Sequence, residues 1–226
     1  MRSHSLRVHV LKSVIFDLDG VVADSHPLHM RAWRRFLLTL GITVNDEQLE
    51  FVRDGRKRQD ILRYFVGELT DDQVHSYGRK KDLFFHEECK SLVPIEGVER
   101  LLQDLNRAAV LTAVASSGSR SRVHHILNLL ELKSHFAAVV TGDEVKDGKP
   151  DPAIFHRVAE QMQVRPEESL VFEDSVSGVR AAKAAGMECV GIAEEHRARL
   201  LLGAGATYVC RNFVDTSLSQ IRELFS

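Results

Sequence analysis

The chain has 226 residues, of which 44% are hydrophobic and 27% are charged, and its formal net charge at pH 7 is −2. This composition is typical of a globular protein with one large domain, or with one domain that carries a small insertion. The near-neutral charge gives no reason to expect nucleic acid or an anionic membrane as a partner.

The cysteines and the N-terminal segment indicate the compartment. Cys89, Cys189 and Cys210 are too few and too far apart for a disulfide framework or a Cys-x-x-Cys metal site, so we expect buried thiols in a reducing cytoplasm. The first ten residues contain no apolar core of a secretory signal, and no apolar run approaches the length of a membrane span. The sequence therefore predicts a cytoplasmic protein without membrane contact.

Short apolar runs alternate with helical patterns along most of the chain. Strands are predicted at residues 14–17, 111–116, 137–141, 170–174, 189–192 and 208–210. Helices are predicted between most of them, at residues 97–106, 120–130, 152–163, 176–185 and 195–202. This alternation predicts an α/β fold built on a doubly wound, Rossmann-like parallel sheet.

One long region interrupts the alternation, because it contains helical patterns and no convincing strand. His29 and Trp33 lie on the first of these patterns, which Gly41 ends. Further helices of the region are predicted at residues 58–66 and 71–89. About 65 helical residues are too many for a crossover between two strands, so we expect an inserted, all-helical cap. The predicted domains are a core of residues 1–27 and 93–226 and a cap of residues 28–92.

Paired carboxylates follow two of the predicted strands. Asp17 and Asp19 end the first strand and precede Gly20, and Glu173 and Asp174 end the fourth. In an open parallel sheet the carboxyl ends of the strands meet where ligands bind. Four acids at that edge repel one another unless a cation lies among them, and carboxylate oxygens suit Mg²⁺. Taken alone, the first pair is equally compatible with a solvated Asp-Gly turn.

Two other strand ends carry groups that suit an anion. Ser116 begins a Ser-Ser-Gly-Ser turn after the second strand, where a hydroxyl and backbone N–H groups can hold phosphate oxygens. Lys149 lies in a loop between the third strand and a helix, where it can neutralise an anion and nearby carboxylates. Each feature alone also fits an ordinary helix N-cap or a surface lysine.

The ordered set of Asp17-Leu-Asp19, Ser116, Gly148-Lys149-Pro150 and Glu173-Asp174 resembles the haloacid dehalogenase superfamily over nearly the whole chain. The helical insertion resembles the cap of the subgroup that contains β-phosphoglucomutase and many sugar-phosphate phosphatases. The resemblance implies that Asp17 is a nucleophile that forms an aspartyl-phosphate and that Asp19 is the general acid and base. It implies that Ser116 and Lys149 bind the transferring phosphoryl group, and that a Mg²⁺ cofactor is held by Asp17, the backbone carbonyl of Asp19, Asp174 and Glu173, the last directly or through water.

The cap is implied to select the substrate, a small phosphorylated metabolite. The positions that resemble substrate-binding residues are His29, Trp33, Gly55, Arg58, Lys80, Ser117 and Arg120. Of these, His29, Trp33, Arg58 and Lys80 match the β-phosphoglucomutase pattern. Because phosphatases outnumber mutases in the family that the chain resembles, we expect a phosphatase of phosphorylated sugars, with a hexose-phosphate mutase of the β-phosphoglucomutase type as the alternative. Most relatives with this type of cap act alone, so a monomer is expected. The mutase pattern Ser-Lys-Asn is replaced here by Gly118, Ser119 and Arg120, which weakens the mutase interpretation.

Two minor alternatives stay open. Asp54 stands where a related pyrophosphate-cleaving branch has an acidic residue, so pyrophosphate is a possible substrate. A non-catalytic binding module could use the same fold. A degenerate module is expected to lack at least one of the core polar residues, and this chain has them all.

Overall fold

The computed structural model describes residues 10–225, and within them six parallel strands form one sheet in the order β3-β2-β1-β4-β5-β6. The strands are β1 (Ser13–Phe16), β2 (Leu111–Ser116), β3 (Ala138–Thr141), β4 (Ser169–Glu173), β5 (Glu188–Ile192) and β6 (Tyr208–Cys210). The predicted doubly wound parallel sheet is confirmed. Residues 1–9 of the predicted core, and residue 226, lie outside the described residues.

The central strand β1 places the first acid pair at the sheet edge. All four of its side chains are buried, which explains its continuous apolar run. Phe16 lies opposite Val114 of β2 and Phe172 of β4, so the three strands end side by side. The ring of Phe16 stacks on that of Phe172 with centroids 5.3 Å apart. This packing fixes the backbone that carries Asp17.

Helices cover both faces of the sheet. Their bounds are α5 (Val98–Arg107), α6 (Arg120–Leu129), α7 (Ala153–Met162), α8 (Val176–Ala184), α9 (Glu195–Ala204) and α10 (Leu218–Glu223). Val14 and Phe16 share an apolar cluster with α5, α6 and α10, whereas Ile15 points to the opposite cluster with α7, α8 and α9. The alternation of side chains along a strand therefore gives the sheet its two cores.

The region between β1 and β2 is helical, as expected of a cap. It contains α1 (His26–Leu38), α2 (Asp46–Leu49), α3 (Arg58–Val66) and α4 (Asp71–Glu88), with one 3₁₀ turn after α2 and another after α4. These helices enclose an apolar core of their own around Trp33, Phe36 and Leu62, each at most 2% exposed. Burying each such side chain contributes about 1.5–3 kcal/mol. Among residues 10–225, no helix is both long and apolar enough to cross a membrane.

The short helix α2 is absent from the sequence prediction. Asn45 caps it by accepting a hydrogen bond from the backbone N–H of Gln48, and the Gln48 side chain returns the bond. This Asn-x-x-Gln box is a sequence signal of a helix start that hydrophobic spacing alone does not reveal.

Candidate active site

A buried ion triad lies at the carboxyl ends of β1 and β4. The Lys149 ammonium lies 2.5 Å from Asp17 Oδ1 and 2.5 Å from Glu173 Oε1, and it also donates to the carbonyl of Ala115 at 3.1 Å. The side chains of Lys149 and Glu173 are 0% exposed. Burial would lower the pKa of Lys149, but the two carboxylates raise it above its ordinary value, so the ammonium stays charged.

The same burial acts on Asp17 in the opposite sense. Burial raises the pKa of Asp17 well above its usual value, Lys149 opposes that rise, and the neighbouring acids Glu173, Asp174 and Asp19 add to it. Asp17 Oδ2 accepts the backbone N–H of Asp19 at 2.8 Å, which fixes the carboxylate. Several carboxylates thus share a small volume with one lysine, and a further cation would relieve their repulsion.

The donors around Gly20 fit Mg²⁺. Asp174 Oδ2 lies 2.5 Å from His26 Nε2, and a side chain at Gly20, whose φ is +77°, would collide with both groups. Asp17, Asp174 and the backbone carbonyl of Asp19 supply the hard oxygen atoms that this ion prefers. In the described part of the chain no three His, Cys, Asp or Glu side chains form a ready-made metal group.

Glu173 is placed to support the site rather than to enter it. One of its oxygens accepts from Lys149, and the other accepts the backbone N–H of Asp174 at 2.9 Å and the N–H and hydroxyl of Ser175 at 3.0 Å and 2.9 Å. Both oxygens are therefore engaged by the chain itself. This arrangement favours contact of Glu173 with a metal through water over direct contact.

Asp19 is held by residues from both sides of the cleft. Its Oδ1 accepts from the Ser25 hydroxyl at 2.7 Å and lies 3.0 Å from His29 Nε2. Arg122 Nη1 donates to both carboxylate oxygens, at 2.9 Å and 2.8 Å. Burial alone would raise the pKa of Asp19, but Arg122 and His29 hold it well below its usual range. Asp19 is therefore an ionised carboxylate in this arrangement.

The serine turn after β2 joins the core to the cap. The hydroxyl of Ser116, which is 1% exposed, accepts the backbone N–H of Gly118 at 3.1 Å. Ser117 Oγ instead donates to the carbonyl of Gly55 in the cap at 2.7 Å. Ser117 lines the cleft, as predicted, and its hydroxyl forms a contact there between cap and core.

The cap is seated directly on the core through the segment that precedes α3. Besides the bond to Gly55, the hydroxyl of Ser177 donates to the carbonyl of Asp54. The ammonium of Lys57 donates to the carbonyls of Val145 at 2.6 Å and Lys146 at 2.9 Å. These contacts hold the cap over a cleft that is lined on the core side by Asp17, Asp19 and Asp174.

The sequence profile of the haloacid dehalogenase-like hydrolases matches residues 14–192, which is most of the chain and includes the whole cleft. The chain belongs to this family. It is therefore an enzyme of the haloacid dehalogenase superfamily.

Individual relatives of this haloacid dehalogenase-like hydrolase span nearly its whole length. A phosphorylated carbohydrates phosphatase of Thermotoga maritima is 33% identical over 203 residues, which cover 87% of this chain and 92% of the relative. A β-phosphoglucomutase of Bacillus subtilis is 29% identical over 221 residues, covering 94% and 95%. The crystal structure of a β-phosphoglucomutase from Clostridium difficile superposes with a TM-score of 0.85 over 96% of this chain and 97% of that chain, at 23% identity. That structural likeness supports the fold.

The cleft of this hydrolase contains most of the residues that the sequence analysis singled out in the cap. His29, Trp33, Gly55 and Arg58 all line it. Arg58 Nη1 donates to Asp82 Oδ2 at 2.7 Å, so the arginine is held within the cap.

Two predicted substrate-binding residues are not brought to the cleft. Lys80 is exposed on α4, and the neighbouring Lys81 lies in the cleft instead, with its ammonium 2.8 Å from His29 Nδ1. Arg120 is also exposed and pairs with Glu144 at 3.3 Å. Arg122, two residues later on α6, reaches Asp19. In both cases the helix turns the predicted side chain away from the cleft and a neighbour towards it.

The sequence contains a signal for the inward position of Lys81 but none for that of Arg122. Val74, Gly78, Lys81 and Phe85 are the buried residues of α4, and their helical spacing marks Lys81 as facing inward. No comparable signal marks Arg122, because the first turn of α6 contains both Arg120 and Arg122 and the sequence does not reveal which one points to the sheet edge. His26 was also missed, since nothing in its sequence context points to Asp174.

Proposed function

We propose that the protein is a Mg²⁺-dependent phosphatase that acts on a small phosphorylated sugar or a similar metabolite through an aspartyl-phosphate intermediate. The observation that carries the proposal is the triad of Asp17, Lys149 and Glu173 at the end of the central strands, with Asp19 in the same cleft. The relative from Thermotoga maritima, a phosphatase of phosphorylated carbohydrates, supports this substrate class.

Asp17 is proposed as the nucleophile. Its oxygen attacks the phosphorus of the substrate, the bond from phosphorus to the leaving oxygen breaks, and the phosphoryl group is transferred to Asp17. Lys149 neutralises charge beside the nucleophile, which offsets the repulsion between a carboxylate and a phosphate. Ser116 and the backbone N–H groups of its turn are placed at the same sheet edge to bind phosphoryl oxygens.

Asp19 is proposed to move the protons. Two residues from the nucleophile, it gives a proton to the leaving oxygen of the sugar and later takes one from the water that hydrolyses the aspartyl-phosphate. Its ionised state in the described arrangement means that it must gain a proton, and exchange its present contacts for the leaving oxygen, before the first step.

Mg²⁺ would be held by Asp17, Asp174 and the backbone carbonyl of Asp19, with Glu173 acting through water. When bound, the ion would neutralise the negative charge that the substrate phosphate brings to these carboxylates. His26, which contacts Asp174, would have to share that carboxylate with the ion.

A hexose-phosphate mutase is the second candidate, and Arg58 in the cleft and the relative from Bacillus subtilis favour it. Phosphorus NMR decides between the two reactions. Purified protein is incubated with Mg²⁺, β-glucose 1-phosphate and a trace of glucose 1,6-bisphosphate. Growth of inorganic phosphate supports the phosphatase, growth of glucose 6-phosphate supports the mutase, and a panel of other sugar phosphates extends the search.

The nucleophile is tested by Asp17→Asn. We expect turnover to be lost while the circular dichroism spectrum stays that of the native protein, because the amide keeps the shape of the side chain but cannot attack phosphorus. Hydrolysis at the native rate by this variant would refute the assignment.

We further propose that the enzyme works as a monomer in the cytoplasm, without nucleic-acid or membrane partners.

A further inference from the structure

The imidazole ring of His26 lies beside the oxygen atoms that are proposed to hold Mg²⁺. Its Nε2 is 2.5 Å from Asp174 Oδ2, and both side chains line the cleft together with Asp17. The His26 side chain is 16% exposed and that of Asp174 is 9% exposed. Within residues 10–225, Asp174 is the one hydrogen-bond partner of this ring. A nitrogen atom is therefore directed at a carboxylate that the proposed function requires for a metal.

Gly20 leaves the space in which this ring and this carboxylate meet. Its φ is +77°, and a side chain there would lie 2.6 Å from Asp174 Oδ2 and would also collide with His26 Nε2. The residue before it is Asp19, whose backbone carbonyl is another proposed ligand of the ion. The imidazole nitrogen and the carboxylate oxygen thus converge on the backbone position next to that carbonyl.

The neighbours of His26 hold its backbone in place. Ser25 is buried, its hydroxyl donates to Asp19 Oδ1 at 2.7 Å, and its carbonyl accepts the backbone N–H of His29 at 2.9 Å. Pro27 follows in the first turn of α1, where its own ring fixes φ. Side chains that bind a metal must be positioned before the ion arrives, and the fixed backbone of His26 meets this requirement.

Metal binding at Asp174 changes what the His26 ring can contact. An ion bound to Asp174 Oδ2 occupies the place where His26 Nε2 now makes its contact, so the ring must either leave or become a ligand. Because its backbone is fixed and its nitrogen already lies at that oxygen, ligation needs the smaller movement. Imidazole nitrogen suits first-row transition metals, whereas Mg²⁺ prefers oxygen atoms and water. A ring that becomes a ligand therefore shifts the preference of the site away from Mg²⁺.

We propose that His26 is a further ligand of the metal ion, through Nε2, and that it raises the preference of the site for Mn²⁺ and Co²⁺ over Mg²⁺. This inference rests on the proposed function in one respect, which is that Asp174 is a metal ligand. It adds a nitrogen donor to a site that the sequence motifs describe with oxygen atoms alone.

Pulsed electron paramagnetic resonance tests the ligand directly. The native protein is loaded with less than one equivalent of Mn²⁺, and we expect echo modulation from a directly bound nitrogen, which nitrogen-15 labelling of histidine alone shifts. The modulation is lost in His26→Gln and kept in His156→Gln, a matched control because His156 is exposed on α7. A native protein without histidine coupling overturns the inference before any variant is needed. A folded His26→Gln variant that keeps the coupling overturns it as well.

Calorimetry on the metal-free protein measures the preference between ions. Dissociation constants are determined for Mg²⁺, Mn²⁺ and Co²⁺ with the native protein, His26→Gln and His156→Gln. We expect His26→Gln to weaken Co²⁺ binding relative to Mg²⁺ binding by about tenfold or more, since loss of even an outer partner of a ligand costs about 10–100-fold in metal affinity. The glutamine amide can still donate to Asp174. If His26 only orients that carboxylate, the three affinities change by a similar factor or not at all, and the inference is overturned.

These binding measurements separate the role of His26 from the proposed function. A native protein that hydrolyses phosphate esters with Mg²⁺ but shows no histidine coupling with Mn²⁺ keeps the proposed function and overturns the role of His26. A native protein that binds Mn²⁺ through His26 but hydrolyses no phosphate ester keeps the metal ligand, and the proposed phosphatase fails.

Discussion

Replacing Lys149 with Met tests the buried ion triad. The substitution keeps most of the length of the side chain but leaves Asp17 and Glu173, both almost fully buried, without the charge that lies 2.5 Å from each. Removing one partner of a buried ion pair costs about 3–5 kcal/mol. For a chain of 226 residues, 1 kcal/mol corresponds to about 2–4 °C in Tm, so we expect a loss of roughly 6–20 °C.

The pH dependence of this loss has a definite sign. Burial already raises the pKa of Asp17 above its unfolded value, and without Lys149 that pKa rises further. A carboxyl whose folded pKa is raised binds more protons in the folded state, so stability falls as pH rises through that range. The variant is therefore closest to the native protein at acid pH, and its deficit grows as pH rises.

The assay is thermal and urea unfolding followed by circular dichroism, in EDTA so that no divalent ion replaces the missing charge. Lys183→Met serves as the control, because Lys183 is 36% exposed and its bridge to Glu188 is a surface pair worth at most about 1 kcal/mol. A Lys149→Met variant that unfolds within about 1 kcal/mol of the native protein at pH 8 would refute the argument that the triad stabilises the fold.

Three further predictions concern the cleft, and Lys183→Met is the control for each variant. Because the pKa of Lys81 is lowered to about 7, its charge is lost as pH rises, so KM for glucose 1-phosphate should increase between about pH 6 and pH 8 and be nearly constant in Lys81→Met. Lys57→Met removes two bonds from cap to core, so we expect a larger radius of gyration by X-ray scattering and a higher KM. EDTA should abolish turnover and Mg²⁺ restore it, with an unchanged circular dichroism spectrum.

The sheet and its polar edge were predictable because their causes are local in the sequence. A strand buried on both faces must be continuously apolar, so the runs before Asp17 and before Glu173 identified β1 and β4. Parallel pairing then brings the ends of such strands together whatever the loops do. For this reason motif order alone could bring the members of the triad to one sheet edge, although it could not predict the hydrogen bonds that Ser175 donates to Glu173.

Which side chains line the cap side of the cleft depends on the rotation of each helix about its axis. Sequence motifs do not specify this rotation. One residue along a helix turns a side chain by about 100°, so Lys80 and Lys81 point to different faces of α4. The inward stripe of α4 would have corrected this choice, since Lys81 shares it with Phe85. The choice between Arg120 and Arg122 depends on how α6 meets the sheet, which is a tertiary property.

The positive charges on the two sides of the cleft have different surroundings, those of Lys149 on one side and those of Arg122 and Lys81 on the other. This difference suggests how one fold can accept several substrates. Lys149 is paired with both carboxylates and enclosed, so the charge beside Asp17, the proposed nucleophile, is set before any substrate arrives, as transition-state stabilisation requires. Arg122 and Lys81 lie among other cations and contact groups that the reaction needs to move. Changes at these two positions are therefore expected to act through Asp19 and His29, and to leave the Lys149 triad in place. The reverse does not hold, because a change at Lys149 alters the fold and the chemistry together.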